Sequence, residues 1–307
     1  MTKRRARGRL LDGLLLLDKP SGISSNAALQ RTKSIYFAKK AGHTGSLDPL
    51  ATGMLPICFG EVTKFSQFLL DADKHYQVVA QLGVRTDTGD SEGEVIATEK
   101  TTHIDVEAIE NVLTNFRGTI KQVPSMFSAL KSQGVPLYKL ARQGIEVQRQ
   151  PRSVTIRQLS LLDFNQVNAT LSLDVKCSKG TYVRNLVDDI GIALGCGAHV
   201  IALRRLRVGE FAAADMVTQL QLEALRNEKA FAQLDALLLP LYRIFQKLPQ
   251  INLTAAAAFR LRQGQVIDER VDVTAGLVTL YDTKDGFIGI GVVKDDGSLA
   301  AKRLLKA

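Results

Sequence analysis

The sequence is poor in the residues that build metal centres and disulfide frameworks. Its 307 residues include 3 cysteines, 4 histidines and no tryptophan. The cysteines form no Cys-x-x-Cys pair and the histidines stand far apart, so neither a zinc site nor a disulfide scaffold is indicated. We therefore predict no bound metal. Because unpaired thiols suit a reducing compartment, we also predict a cytoplasmic location.

Long apolar runs and nucleotide-binding motifs are missing as well. No stretch approaches the roughly 18 apolar residues of a membrane span. Residues 10–18 are largely apolar but are interrupted by Asp12, which predicts a buried strand behind a basic arm at residues 3–9 rather than a signal peptide. The patterns GxxxxGK[ST] and GxSxG are absent, so a phosphate-binding loop and serine hydrolysis lose their main support. We expect no cofactor and no membrane contact.

The sequence does have a clear surplus of positive charge. It contains 40 Lys and Arg against 31 Asp and Glu, a formal net charge of +9. A surplus of that size favours a polyanionic partner such as nucleic acid. Because 45% of the residues are hydrophobic, the chain can bury a core without disulfides or metals.

The order of the predicted elements indicates an α+β fold around a largely antiparallel sheet. Apolar spacing predicts helices at 26–40, 104–116, 183–194 and 220–239, and strands at 76–84, 154–164 and 170–177. Residues 94–98 are predicted to return as the hairpin partner of strand 76–84. Beyond Pro240 and Pro249, a helix at 254–263 and short strands with turns at 285–286 and 296–297 predict a small β-rich domain.

Residues 42–56 form the segment whose residues are best suited to catalytic chemistry. Here Asp48 follows two glycines closely and directly precedes a proline, which places its carboxylate in a stiff turn. Such a turn can present one carboxylate to a substrate. The alternative is an Asx turn, in which Asp48 only accepts hydrogen bonds from neighbouring amides. The local pattern leaves both readings open.

The segment GHTGSLDPLATGMLP at 42–56 closely resembles the catalytic motif of the bacterial tRNA pseudouridine synthase family that modifies the T-loop uridine, tRNA position 55. Further blocks resemble the same family in order and spacing: LLLLDKPSG at 14–22, PSMFSALK at 124–131, SKGTYVRNL at 178–186, GCGAHV at 195–200 and LRRLRVG at 203–209. The resemblance implies a pseudouridine synthase fold. It also implies isomerisation of uridine in place, without cofactor.

The resemblance assigns the chemistry to a few residues. Asp48 corresponds to the catalytic nucleophile, and whether it attacks the base, attacks the ribose or assists glycal formation stays open. Arg184 corresponds to the cation that keeps this carboxylate charged in a water-poor pocket. Tyr76 corresponds to the tyrosine that stacks on the uracil, with its hydroxyl near the site of late proton transfer. Tyr182 and Leu203 correspond to further residues lining the uracil pocket.

Access to the uridine requires extrusion of the nucleotide from the RNA loop. His43 resembles the family residue that fills or buttresses the vacated place. Phosphate contacts are expected from basic residues such as Lys19, Lys64 and Arg142, together with the arm at residues 3–9. The basic segment at 131–144, within an insert at about 124–152, is expected to order on RNA.

The resemblance also predicts the organisation and partners of the protein. It implies a catalytic domain at 1–248 and a PUA-like RNA-binding domain at 249–307. The expected partner is the T-arm stem-loop of tRNA, bound by a monomer without an obligatory protein partner. Two alternatives remain: a tRNA folding chaperone for which modification is secondary, and a synthase that depends on guide RNA and partner proteins. A nucleotide-using enzyme has no supporting motif.

Overall fold

The computed structural model describes residues 8–268, 273–284 and 286–306. Its strands are β1 Gly13–Lys19, β2 Ala41–His43, β3 Thr52–Phe59, β4 Lys74–Leu82, β5 Val84–Thr86, β6 Val95–Thr98, β7 Gly118–Gln122, β8 Lys131–Ser132, β9 Val135–Pro136, β10 Arg152–Asn165, β11 Thr170–Cys177, β12 Ala198–Val208, β13 Val217–Thr218, β14 Gln250–Leu253, β15 Gly276–Asp282, β16 Gly286–Val293 and β17 Leu299–Leu304. Its α-helices are α1 Ser25–Ile35, α2 Ser66–Asp71, α3 Val106–Asn115, α4 Leu137–Ala141, α5 Val183–Ala193, α6 Gln219–Asn227, α7 Phe231–Ala236 and α8 Ala255–Arg262.

A large mixed sheet forms the centre of the molecule, in the order β13-β1-β3-β12-β4-β11-β10-β7, with β2 paired to β3. Only the β1–β13 and β3–β12 pairs in it are parallel. Strand β4 pairs antiparallel with both β11 and β12 and so lies in the interior of the sheet. Helices α3 and α5 pack near these strands over an apolar core. The predicted α+β fold with a largely antiparallel sheet is confirmed.

The predicted hairpin involves a different strand. Residues 94–98 were expected to return as the partner of strand 76–84. They do form a hairpin, but β6 pairs with the short strand β5, and only Val84 of the predicted strand takes part, opposite Thr98. The physical reason is that both edges of β4 are already occupied by β11 and β12, which leaves no hydrogen-bonding edge free.

Two predicted helices are shorter than their sequence patterns. Helix α1 ends at Ile35, not residue 40, because Phe37 adopts a φ of 48° that a right-handed helix cannot contain. The pattern at 220–239 divides into α6 and α7, and Lys229 between them has a φ of 58°. Single residues in the left-handed conformation therefore set these ends.

The C-terminal part forms its own four-stranded sheet, β14-β15-β16-β17, with α8 beside it. Ile290 of this sheet also joins an apolar cluster with Phe65 and Phe245, so the sheet packs against the rest of the chain. None of the helices within the described ranges is long and apolar enough to cross a membrane. Most of the predicted basic arm, residues 3–7, and Asp285 of one predicted turn lie outside the described residues.

Candidate active site

The turn that carries Asp48 is fixed from several directions. The Ser25 hydroxyl, buried at the start of α1, accepts from the Leu47 amide at 2.7 Å and donates to the Leu47 carbonyl at 2.9 Å. The Pro49 carbonyl accepts from the Gly22 amide at 2.9 Å. These bonds tie both neighbours of Asp48 to the segment that follows β1. The turn is thus held rigidly enough to present one side chain.

The Asp48 carboxylate is paired with Arg184. Nη2 of Arg184 donates to Oδ1 at 3.3 Å, and Nε lies 2.9 Å from Oδ2 in an ion pair. Within the described residues, the hydrogen bonds of this carboxylate go to Arg184 and not to neighbouring amides. The Asx-turn alternative therefore does not fit. The Asp48 side chain remains 38% exposed, since it opens into a cavity.

A second carboxylate shares the same arginine. Arg184 lies in the first turn of α5, and its Nη1 donates to Asp90 Oδ2 at 2.9 Å. The remaining donors reach two main-chain oxygens, Thr88 O at 2.9 Å and Phe127 O at 2.8 Å. Asp90 is placed by its loop, which is joined to β12 through the Ser91 amide and the Val200 carbonyl at 2.9 Å. Arg184 is thus held on all sides in one orientation.

The electrostatics of Asp48 reflect two opposing influences. Burial raises the pKa of this carboxyl, and the Arg184 guanidinium acts against that shift. The Asp90 charge adds to the increase. The net direction is upward, so Arg184 offsets only part of the cost of removing water from the carboxylate.

Tyr76 lies across a pocket from Asp48. The pocket measures about 300 Å³ and is lined by Asp48, Tyr76, Tyr182, Arg184 and Leu203 among others. Tyr76 is buried in the sheet, and burial raises the pKa of its phenol. The structure thus gathers in one cavity all five residues that the sequence assigned to uracil and its chemistry. A space of this size accommodates a planar base.

A wider cleft of about 900 Å³ adjoins this pocket and also opens onto Asp48. His43, at the end of β2, lines it, and its Nδ1 is buried without a hydrogen-bond partner in the described structure. Burial lowers the pKa of the His43 ring, which favours the neutral form. From the insert, Arg142 lies over the Tyr138 ring at 5.8 Å and lines the cleft on another side.

Sequence comparison identifies relatives over nearly the whole chain. A model described as TruB family pseudouridylate synthase, N-terminal domain, matches residues 33–183. Models of two C-terminal domains, tRNA pseudouridylate synthase B and pseudouridine synthase II TruB, match residues 184–246 and 249–305. A protein of Coxiella burnetii named tRNA pseudouridine synthase B is 54% identical, over 97% of this chain and 96% of the relative. A protein of the same name from Nitrosococcus oceani is 53% identical, over 99% of this chain and 97% of the relative. The chain belongs to the TruB family of pseudouridylate synthases.

Solved structures with lower sequence identity share the fold of this TruB family member. The chain aligns with a Cbf5-Nop10-Gar1 complex at a TM-score of 0.72 and 24% identity, covering 97% of this chain and 85% of that one. It aligns with an H/ACA RNP bound to a substrate RNA at a TM-score of 0.70 and 22% identity, covering 99% and 92%. The predicted pseudouridine synthase fold is confirmed. The TruB family match and the relatives named tRNA pseudouridine synthase B show that the chain is an isomerase.

Two of the lysines predicted to contact RNA phosphates, Lys19 and Lys64, do not line the pocket or the cleft at Asp48. Lys19 is completely buried, and its Nζ donates to three main-chain carbonyls, those of Pro20, Ile23 and Pro49. The structure therefore does not place Lys19 on an RNA-facing surface, because the carbonyls occupy its donors. Lys64 is partly exposed in the 3-10 turn Gly60–Phe65 and forms an ion pair with Glu61.

Sequence reasoning missed three charged residues of this site. Asp90 was not singled out, because nothing local in its acidic loop indicates a buried partner 94 positions away. Arg205 stands inside a block that carried the family resemblance, yet its role was not assigned. Lys74, two residues before Tyr76 on β4, also faces the pocket. Because alternate residues of a strand lie on the same face, its position relative to Tyr76 could have indicated this.

Proposed function

We propose that this chain converts uridine to pseudouridine at position 55 in the T loop of tRNA. The observation that carries the proposal is the Asp48–Arg184 ion pair at the mouth of a pocket sized for a base, with Tyr76 on its wall. The family membership supports uridine isomerisation in tRNA, and the similar proteins of known name are tRNA pseudouridine synthases.

Asp48 acts as the nucleophile of the reaction. Its carboxylate attacks C6 of the base, attacks C1′ of the ribose, or takes the C2′ proton so that a glycal forms. In each case the ionised form is required, which is the task we assign to Arg184. The glycosidic bond to N1 breaks and a bond between C1′ and C5 replaces it. Because substrate and product are isomers, no redox partner or group donor is consumed.

The remaining pocket residues hold the base. Tyr76 stacks on the uracil through its ring, and its hydroxyl serves the late removal of the C5 proton. Tyr182 and Leu203 close the pocket around the ring. A uridine stacked inside the RNA loop cannot reach this depth, so the nucleotide is flipped out, at a cost of a few kcal/mol. His43, in the wider cleft, buttresses the vacated place in the RNA.

RNA binding extends beyond the pocket. We propose that the insert at about 124–152, with Arg142 facing the cleft, closes on the T arm as it orders. Lys64, the arm at residues 3–9 and the C-terminal domain at 249–307 are proposed as further contacts to phosphates. We further propose that the protein acts as a cytoplasmic monomer without an obligatory protein partner.

The test is release of tritium from uracil C5 of a synthetic T-arm stem-loop by the purified protein, with no cofactor, metal or second protein added. Wild type is compared with Asp48→Asn and with the control Asp163→Asn, which changes an exposed carboxylate on β10. We expect release by wild type and control only, with the RNA affinity of Asp48→Asn within about tenfold because phosphate contacts supply most of the binding free energy.

Other results would refute parts of the proposal. Release by Asp48→Asn would remove Asp48 as nucleophile. Tight binding without release by the wild type would favour the tRNA-chaperone alternative, and release that requires added guide RNA or proteins would favour a partner-dependent synthase. A stem-loop in which only the target uridine is replaced by cytidine controls for release from other positions.

A further inference from the structure

Two buried cations beneath the uracil pocket have no part in the roles assigned above. Arg205 on β12 is 1% exposed, and Lys74 on β4 is buried beside it. Both line the same pocket as Asp48 and Tyr76. The sheet register explains their proximity, because Arg205 is paired with Tyr76 across the β12–β4 ladder. The two cations therefore form part of the pocket floor.

Both cations are bound by the main chain and not by carboxylates. Arg205 donates from Nε to Met54 O at 2.6 Å and from Nη2 to Gly45 O at 2.9 Å. The Lys74 ammonium donates to Leu70 O and Ala72 O, both at 2.6 Å, and to Leu69 O at 3.3 Å. Within the described parts of the chain, neither side chain has a nitrogen within 4.0 Å of a carboxylate oxygen. Carbonyls satisfy the donors but carry no full negative charge, so neither cation is neutralised by a direct ion pair.

The charges around the pocket are consequently unbalanced. The carboxylates Asp48 and Asp90 share the Arg184 guanidinium, while Arg205 and Lys74 add two cations without a directly paired carboxylate. Burial lowers the pKa of Lys74 to about 8, and the more distant Asp71 and Asp73 act against that decrease. The influence of Arg205 reaches the substrate side of the pocket: burial raises the pKa of the Tyr76 phenol, and Arg205 acts against that increase. Burying a cation without a directly paired anion is costly, so a compensating function is expected.

Negative charge develops on the uracil in every route open to Asp48. If the glycosidic bond breaks first, its electron pair leaves with N1 as a uracil anion, while Asp48 either takes the C2′ proton or bonds to C1′. If Asp48 adds to C6, the electron pair of the C5–C6 bond moves onto the ring as an enolate. In all routes the N1–C1′ bond breaks, C5 bonds to C1′, and Asp48 is regenerated. It returns the proton to C2′ in the glycal route, is displaced from C1′ by C5 in the ribose route, and is eliminated from C6 in the base route. The C5 proton then leaves and N1 gains one, so atoms and electrons balance without an external reagent.

We propose that Arg205 and Lys74 stabilise the negative charge that the uracil ring acquires during the isomerisation. This inference rests on the proposed function. Fixed cations in a site that excludes water stabilise a developing anion more than water would, because they need no reorganisation during the reaction. Their main-chain partners hold them in place without neutralising them. The floor is thus complementary to the charged ring and not to neutral uridine.

The experiment varies the acidity of the departing base. Stem-loops carrying uridine or 5-fluorouridine at the target are converted under single-turnover conditions, and loss of the target nucleotide is followed by digestion and chromatography. Fluorine withdraws electrons, so the ring bears negative charge with less help from the protein. The variants are Arg205→Met and Lys74→Met, and the controls are Arg207→Met and Lys176→Met, exposed cations on β12 and β11.

We expect Arg205→Met to convert uridine about 100-fold more slowly and 5-fluorouridine with a much smaller loss. The same pattern is expected for Lys74→Met, and neither control should alter the ratio. Equal losses on both substrates would overturn the inference, because a merely structural role slows both alike. Should Arg205→Met not fold, as circular dichroism would show, Lys74→Met and the charge-conserving Lys74→Arg decide the question. If wild type converts neither substrate, the proposed function fails and the inference with it.

Discussion

The substitution Arg184→Met tests whether the Asp48–Arg184–Asp90 network is a stabilising unit as well as a reactive one. The Arg184 and Asp90 side chains are 6% and 3% exposed, so the substitution leaves the Asp90 carboxylate buried and unpaired. Removing one partner of such a pair costs about 3–5 kcal/mol. The lost contact with Asp48 adds little to stability, since that carboxylate opens into the pocket and water can replace the arginine.

The assay is urea unfolding at neutral pH, followed by circular dichroism because the chain has no tryptophan. The matched control is Arg157→Met, whose ion pair with Asp73 is half-exposed and therefore contributes less than about 1 kcal/mol. Adding Asp90→Asn to Arg184→Met should recover most of the lost stability but no turnover, because Asp48 stays unpaired. A loss in Arg184→Met no larger than in the control would refute the reasoning.

Three further predictions concern individual groups. Burial raises the pKa of Asp48. The single-turnover rate, measured from about pH 4 to pH 8, should therefore fall on the acid side at a higher pH than an ordinary aspartate would give. A fall centred on the ordinary aspartate pKa would contradict this. Tyr76→Phe should retain fold and RNA affinity but lose about 100-fold in tritium release, whereas full activity would remove the hydroxyl from the mechanism. Burial lowers the pKa of Lys19 to about 8, so above that pH the native state releases a proton that the unfolded chain retains. Wild-type stability in urea should therefore increase from about pH 8 to pH 10 by more than that of Lys19→Met, and identical slopes would contradict the assignment.

The sequence was informative wherever the information is local or carried by a long motif. The alternation at 170–177 predicted β11 with its observed bounds, and the serine at position 24 marked the start of α1, where its side chain accepts from the Ala27 amide. The motif around Asp48 and the blocks around Arg184 indicated residues that the structure brings to one pocket. Their catalytic roles remain predictions.

What the sequence could not reveal depends on distant parts of the chain. The third acceptor of the buried Lys19 ammonium, beside the local carbonyls of Pro20 and Ile23, is the carbonyl of Pro49, 30 positions away. That β6 pairs with β5 follows from the occupation of both edges of β4. The ion pair of Asp90 likewise requires a helix that begins 93 positions later in the chain, at Val183. In each case a basic, acidic or alternating pattern was visible, but its partner was set by the tertiary fold.

The parallel pairing of β3 with β12 also bears on how the protein is made. In this pair Gly53 lies opposite Arg205, so β3, which follows the Asp48 turn, acquires its β12 neighbour only after some 150 further residues have been synthesised. Until then, the growing chain on the ribosome exposes the edge of β3 and the edge of β4 that β12 later occupies, without a pocket between them. Pairings over such sequence distances form slowly. Chains interrupted before β12 are therefore expected to have no active site.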